Sequence, residues 1–360
     1  MVQCKIYLSD EGFGPIVRQR AIIQSIKKID PSIDFTIQTK NHIDRARRVI
    51  KSVNYKKKFN NIIWHKHLDG SPDLKKIKSF YSHYIPRSDA FIKEESESIN
   101  AGFIISDFIF EAFEVGHLKK IPAFGVAHFS WDWFFSKLFP LPLKTNLLKR
   151  FSKQAKKARY LFFPPFTPQE ILNLYRHNAI EVPLIVNDSN NRKIIFEEAK
   201  KFKILIMDSG ANVLNHHIRQ ILPALTALKD FHFFISSNFH FNNENITLID
   251  ESELFIDYIP YMNLVISRAG FNTISECIAK RVPMLLLSES MNPEMNENII
   301  AIKKVGLGSF ISKKQFVEEL PDYLPRFIEH EYLILLERIK SHDIKTNGSQ
   351  VIANKIMESI

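Results

Sequence analysis

Four polar groups recur at intervals that suit the holding of a phosphate. They are the guanidinium of Arg268, the backbone around Gly270, and the carboxylates of Glu276 and Glu294. Leu264-Val265-Ile266 is a short apolar run of the kind that forms a buried strand. It leads into Ser267-Arg268-Ala269-Gly270, predicted as a tight turn whose glycine supplies a positive φ. Helical spacing follows from Thr273 to Lys280, with Ile274, Cys277 and Ile278 on one face. Asn272 or Thr273 is placed to cap this helix, and Glu276 follows Thr273 at the capping-box spacing. Pro283 stops the helix, and Met284 to Leu287 reads as a second buried strand. Such a strand–loop–helix–strand unit puts backbone N–H groups and a helix N-terminus at the carboxyl edge of a parallel sheet, where diphosphates bind. A ligand-free βαβ unit is the plainer reading, and the less favoured one.

Across Asn263 to Gly308 the stretch resembles the nucleotide-sugar half of two-domain glycosyltransferases, among them the bacterial peptidoglycan UDP-GlcNAc transferases and the transferase-like front half of plant-type arabinokinases. The residues that carry the resemblance are Ser267-Arg268-Ala269-Gly270, Ser275-Glu276, Pro283, Glu294 and Asn298. The resemblance implies that Arg268, the amides near Ala269 and Gly270, and the helix start at Asn272 and Thr273 hold a leaving diphosphate. Glu276 would accept hydrogen bonds from ribose hydroxyls, and Glu294 and Asn298 would bind the donor sugar. Met295 stands where relatives often carry glutamine.

Three further stretches match less completely. Gly12, Gly14 and Arg18 fit the family's opening loop, but Pro15 stands where the family has a histidine that serves as general base. Asp10 and Glu11 are nearby carboxylates; a stand-in for the missing base is one reading of them, and solvated loop acids the favoured one. Ser106-Asp107, Ile121-Pro122 and Phe129-Ser130-Trp131-Asp132 fit the arabinokinase-like pattern, with His128 in place of asparagine. Asp107 and His128 are therefore the candidates for activating the acceptor. Trp131 and Trp133 suit stacking on a sugar and interior packing about equally. Ser209 and Gly210 fit a loop that contacts the donor diphosphate, although Asp208 would repel it unless turned away. The resemblance also implies, by position alone, that Ile256 to Tyr258 hold the base through backbone groups.

The fold expected is α/β, with two Rossmann-like domains of GT-B type facing one another across a cleft. Residues 1–165 would form an acceptor-side domain, 166–200 a linker and 201–345 the donor domain. Residues 346–360 would be a helix crossing back to the first domain. Strands are expected at Cys4–Leu8, Phe35–Thr39, Ile62–His65, Phe103–Asp107, Ile121–Ala127 and Leu161–Phe163, the last closing the first domain. Others are expected at Phe202–Met207, Phe231–Ser236, Ile246–Ile249, Leu254–Ile256 and Phe310–Ile311, and helices at Pro325–Lys340 and Ser349–Ile360. Asp44 to Lys58 reads as a basic helix with a solvated face.

Lysine and arginine exceed the acids by ten, which favours anionic partners. No zinc-finger or RNA-binding pattern accompanies that charge, so nucleic acid is not expected. Cys4 and Cys277 sit in apolar segments as small hydrophobes, in keeping with a reducing cytoplasm. No signal peptide opens the chain, and no apolar run approaches the ~20 residues of a membrane span. Phe134, Phe135, Leu138, Phe139 and Leu141 precede a basic segment running from Lys144 to Arg159. A packed helix with a basic outer face is the favoured reading there, and peripheral contact with an anionic membrane at the inner face is the other.

The resemblance thus implies a metal-independent glycosyltransferase without a cofactor, taking a nucleotide-sugar donor (a UDP-sugar favoured) and an unknown sugar or lipid-linked acceptor. A sugar-nucleotide hydrolase or epimerase on the same scaffold is one alternative. A non-catalytic binding protein is the other, and Pro15 favours it.

Overall fold

The computed structural model describes residues 2–12, 14–67, 71–138, 143–187, 201–208, 213–236, 240–250, 254–289 and 291–360. The chain divides into two compact units. The first takes in Met1–His67, Ser71–Ile185 and Lys345–Ile360, and the second Val186–Ile344.

In the first unit the strands are β1 (Gln3–Tyr7), β2 (Asp34–Thr39), β3 (Asn54–Lys57), β4 (Phe103–Ser106), β5 (Ala123–Val126), β6 (Tyr160–Phe163) and β7 (Ala179–Glu181). The helices are α1 (Gly14–Ile29), α2 (Ile43–Val49), α3 (Leu74–Ser82), α4 (Tyr84–Ser98), α5 (Phe110–Lys119), α6 (Trp131–Leu138), α7 (Leu143–Ala155) and α8 (Gln169–Leu174). All strands pair in parallel in the order β3-β2-β1-β4-β5-β6-β7. A parallel sheet is covered on both faces, so its strands read as continuous apolar runs. One face packs Ile6, Phe35 and Ile105 against Ile22 and Ile26 of α1. The other is a phenylalanine-rich layer that includes Phe108, Phe110, Phe113, Phe135 and Phe151.

The second unit contains β8 (Phe202–Met207), β9 (Phe231–Ser236), β10 (Ile246–Ile249), β11 (Leu264–Arg268), β12 (Met284–Leu287) and β13 (Ser309–Ile311). Its helices are α9 (Val213–Leu225), α10 (Phe271–Lys280), α11 (Pro293–Val305), α12 (Leu320–Phe327) and α13 (Leu333–Ser341). The sheet is again parallel, in the order β10-β9-β8-β11-β12-β13. The last helix, α14 (Gly348–Met357), belongs to the first unit and packs on α1. Its first residue is a glycine, where a Cβ would lie 2.1 Å from the carbonyl oxygen of Pro183.

Several expected elements differ. The basic helix over Asp44–Lys58 stops at Val49, and Asn54–Lys57 is an edge strand paired with β2. The reason is long-range: Lys56 and Lys58 both reach the buried carboxylate of Glu95 on α4, which Lys5 also contacts. Ile62–His65 joins no sheet. Leu161–Phe163 is not the last strand of its unit, because α8 and β7 follow within the expected linker. Leu254–Ile256 gives way to a 3₁₀ turn at Phe255–Asp257. The helical path expected from Pro325 begins earlier and contains two wider π turns, at Gln315–Glu319 and Ile328–Tyr332.

Candidate functional site

Each sheet has a point where the strand order reverses, between β1 and β4 in the first unit and between β8 and β11 in the second. Loops leaving the carboxyl ends of such strands diverge and leave room for a ligand. Most of the described sequence-selected residues lie at the ends of these strands or in the loops and helices that directly follow them.

In the first unit, Asp10 and Glu11 are not solvated. Asp10 Oδ1 accepts hydrogen bonds from Thr39 Oγ1 (2.8 Å), Lys40 N (2.8 Å) and Asn41 N (2.7 Å). Its Oδ2 accepts from Asn60 N at 3.3 Å. Asp10 therefore ties the end of β2 and the segment after β3 to the loop after β1. Glu11 is half-buried, and its Oε1 accepts from Trp64 N at 2.9 Å. Burial pushes the Glu11 carboxyl up to about 7; the Trp64 amide and Lys66 oppose the rise, and the charge of Asp10 adds to it. Gly12 has φ 68°, which lets the loop turn into α1, and Gly14 opens that helix.

Arg18 and Asp107 come together, but on each other. The Arg18 guanidinium is ion-paired to Asp107 Oδ1, and both side chains are buried. Asp107 N also donates to Tyr7 O at 2.9 Å, which closes the gap between β1 and β4. Arg18 and Asp107 thus engage one another within the first unit.

His128 lies buried after β5, its ring edge-on to Phe129 at 5.0 Å. Interior packing accounts for the tryptophans. Trp131 stacks on Phe135 at 5.6 Å, and Trp133 Nε1 donates to Glu170 at 3.0 Å. Asp132 accepts from the Tyr175 hydroxyl, and burial raises its carboxyl. Trp133, Leu148 and Leu174 also line a groove of about 560 Å³, edged by Lys149, Lys153 and Lys156.

In the second unit, Asp208 is engaged by the backbone. Its Oδ2 accepts from Leu214 N at 2.7 Å, at the start of α9. Ser209 and Gly210 lie outside the described residues. β11 runs on through Arg268, and Gly270 has φ −71° and ψ 130°, so the positive φ expected there is not used. Gly270 is itself the N-cap of α10, without a side-chain cap bond. Asn272 and Thr273 consequently sit inside the first turn and cap nothing, and Glu276 takes no part in a capping box. A glycine cap places no side chain of its own over the helix start, and helix starts are positions where anions bind.

Glu276 is buried, and its Oε1 accepts from Asn187 N (2.9 Å) and Asn187 Nδ2 (3.1 Å). Burial raises its carboxyl and these two donors oppose the rise. The Arg268 guanidinium is buried and grips Glu289 through Nε and, at 2.7 Å, through Nη2. Burial pulls that guanidinium down, and the Glu289 pair, with Asp208 and Glu294 farther off, more than reverses it. Arg268 thus braces β11 to the end of β12. Asn298 is also internal: its Nδ2 donates to Ala269 O at 2.8 Å, so it holds the loop from α11. Glu294 is half-buried in the first turn of α11, where Asn292 caps Met295 N at 3.2 Å. Ile256 to Tyr258 fall in the 3₁₀ turn before β11. Sequence reasoning missed Glu289 and Asn187, since neither stands in a motif.

Comparison with known proteins bears on these loops directly. The model of the glycosyltransferase family 28 C-terminal domain matches residues 209–356. A UDP-N-acetylglucosamine–N-acetylmuramyl-(pentapeptide) pyrophosphoryl-undecaprenol N-acetylglucosamine transferase of Thermosipho africanus is 30% identical over 139 residues, 37% of this chain and 39% of that protein. The chain thus matches about two fifths of that relative's length. The calicheamicin glycosyltransferase CalG4 superposes with TM-score 0.69 at 12% identity, covering 99% of this chain and 98% of CalG4. The chain has the GT-B glycosyltransferase fold. The rhamnosyltransferase SpnG, solved with thymidine diphosphate, shares this fold at TM-score 0.67 and 12% identity, covering 98% of this chain and 100% of SpnG. Within the GT-B fold, the family 28 match takes in β11, α10 and α11, where Arg268, Glu276 and Asn298 lie. Among the described residues, no helix is long and apolar enough to cross a membrane.

Proposed function

We propose that the protein is a glycosyltransferase that moves a sugar from a nucleotide diphosphate donor, a UDP-sugar by preference, to a hydroxyl of an acceptor. The observation that carries this is the start of α10, capped by Gly270, at the switch point of the second sheet. Its first-turn amides face the charge that grows on a leaving diphosphate, and preorganised dipoles of this kind are a large source of rate enhancement. Arg268 and Asn298 act one step back, fixing the loop that aims those amides. Glu276 receives ribose hydroxyls, and Glu294 lies where it can accept from the donor sugar.

In the transfer, the acceptor oxygen bonds to the anomeric carbon as the carbon–diphosphate bond breaks. The electron pair leaves with the diphosphate, and the acceptor proton needs a base. Asp107 is engaged by Arg18, and Pro15 has no basic group. Glu11 takes that role in this scheme, since a carboxyl poised near neutral pH is suited to accept a proton and release it. His128 is the other candidate on that sheet edge. The Thermosipho relative's name specifies a pyrophosphoryl-undecaprenol-linked acceptor, and a lipid-linked acceptor is the finer reading here. The exposed Lys149, Lys153 and Lys156 would suit contact with an anionic membrane.

The test is incubation with UDP-, GDP- and CMP-sugars, with and without polyprenyl-diphosphate sugars. Nucleotide release that requires acceptor supports transfer. Release without acceptor indicates hydrolysis, and binding without turnover overturns the enzymatic reading. Glu11→Gln and His128→Ala then separate the two bases by which one abolishes turnover.

A further inference from the structure

We infer that Asn187 is a positioning residue that fixes Glu276 so that one carboxylate oxygen is kept for the vicinal hydroxyls of a ribonucleoside diphosphate. The inference rests on the second unit being the donor site. Both Asn187 donors converge on the same atom, Glu276 Oε1, at 2.9 and 3.1 Å. A carboxylate oxygen offers two lone-pair directions, so Oε1 is filled. Among the described residues, Oε2 receives no hydrogen bond, although the residue is only 2% exposed.

Two bonds from one residue stop the carboxylate from rotating. They also favour its charged form where burial disfavours it. The other charges acting on the group are Lys280, which supports ionisation, and Asp257, which opposes it; the Cys277 thiol, itself pushed far up by burial, stays neutral. The oriented Oε2 can then accept from the 2′- and 3′-hydroxyls of a ribose together. A 2′-deoxyribose fills only one direction and leaves the other unmet in a dry site, the arrangement that discriminates most strongly between hydroxyl and hydrogen. Asn187 therefore sets sugar selectivity through Glu276, without touching the ligand.

The experiment is calorimetric titration of the full chain with UDP and with 2′-deoxy-UDP. The wild-type protein is expected to bind UDP at least ~10-fold more tightly, as befits a hydrogen bond to a charged group. In Asn187→Ala the preference should shrink to within ~2-fold while 2′-deoxy-UDP affinity is kept, which also shows that the variant is folded. Asn187→Asp sets a second carboxylate against Glu276 and drives it further toward its protonated form, so UDP affinity should rise with pH more steeply than in the wild type. An Asn187→Ala protein that keeps the full preference overturns the assignment. If the wild-type protein binds 2′-deoxy-UDP as well as UDP, Glu276 is not a ribose ligand and the donor-site reading fails first.

Discussion

Replacing Glu11 by glutamine should make the first unit more stable at alkaline pH and leave it unchanged in acid. The glutamine keeps an oxygen to accept from Trp64 N, now at 2.9 Å, and carries no charge. In the native protein the Glu11 carboxyl is pushed from an ordinary 4.5 up to about 7, chiefly by burial. Between those values the folded state holds a proton that the unfolded chain has released. Wild-type stability is therefore fully present below 4.5 and lost as the pH climbs through 7. At ~1.4 kcal/mol for each pH unit separating the folded and unfolded values, the ceiling is ~3 kcal/mol, and the solvent-reached edge of the residue lowers this to ~1–2 kcal/mol. Tryptophan fluorescence reads this unit alone, because Trp64, Trp131 and Trp133 all lie in it. Urea titrations at pH 4, 6 and 8 should show the Glu11→Gln midpoint pulling ahead of wild type only at the higher values. Equal midpoints at pH 8, or an advantage of the same size at pH 4, would refute a buried carboxyl poised near neutrality and remove Glu11 from the proposed chemistry. Loss of turnover in the same variant would mark Glu11 as a site where charge is kept at a cost in stability.

Asp107→Asn should lower stability by ~3–5 kcal/mol in the same fluorescence assay, because it leaves the buried Arg18 guanidinium without its counter-charge. A shift under ~1 kcal/mol would mean the pair is hydrated and Arg18 is available to a ligand after all. Asn298→Ala should weaken UDP binding ~10-fold, since Ala269 O loses its 2.8 Å donor and the loop before α10 loses its anchor; unchanged affinity in calorimetry would count against the loop-holding role.

The alternation of apolar runs and helical stretches made both parallel sheets legible, because strands buried on two faces cannot look otherwise. What misled were residues whose conformation is set by distant partners. Asn54–Lys57 carries the charge of a solvated helix and forms a strand because its lysines neutralise Glu95 across the unit. Gly270 was given a positive φ on residue type, yet it extends β11's path into α10 at φ −71°. The site shows the same limit at finer grain. Arg18, Asp107, Arg268 and Asn298 have the side chains that grip substrates, and in the folded chain they grip Asp107, Arg18, Glu289 and the backbone of Ala269. A guanidinium beside a carboxylate has the same sequence signature whether the carboxylate belongs to ligand or protein, so spacing alone cannot separate holder from held. The proposed chemistry accordingly falls on groups that carry little motif signal: the first turn of α10, Glu276 and the half-buried carboxyl of Glu11. Amides aimed by fixed loops stay in place as charge develops, whereas a free arginine would have to be ordered at each turnover. On that ground the Arg268–Glu289 pair counts in favour of the proposed donor site.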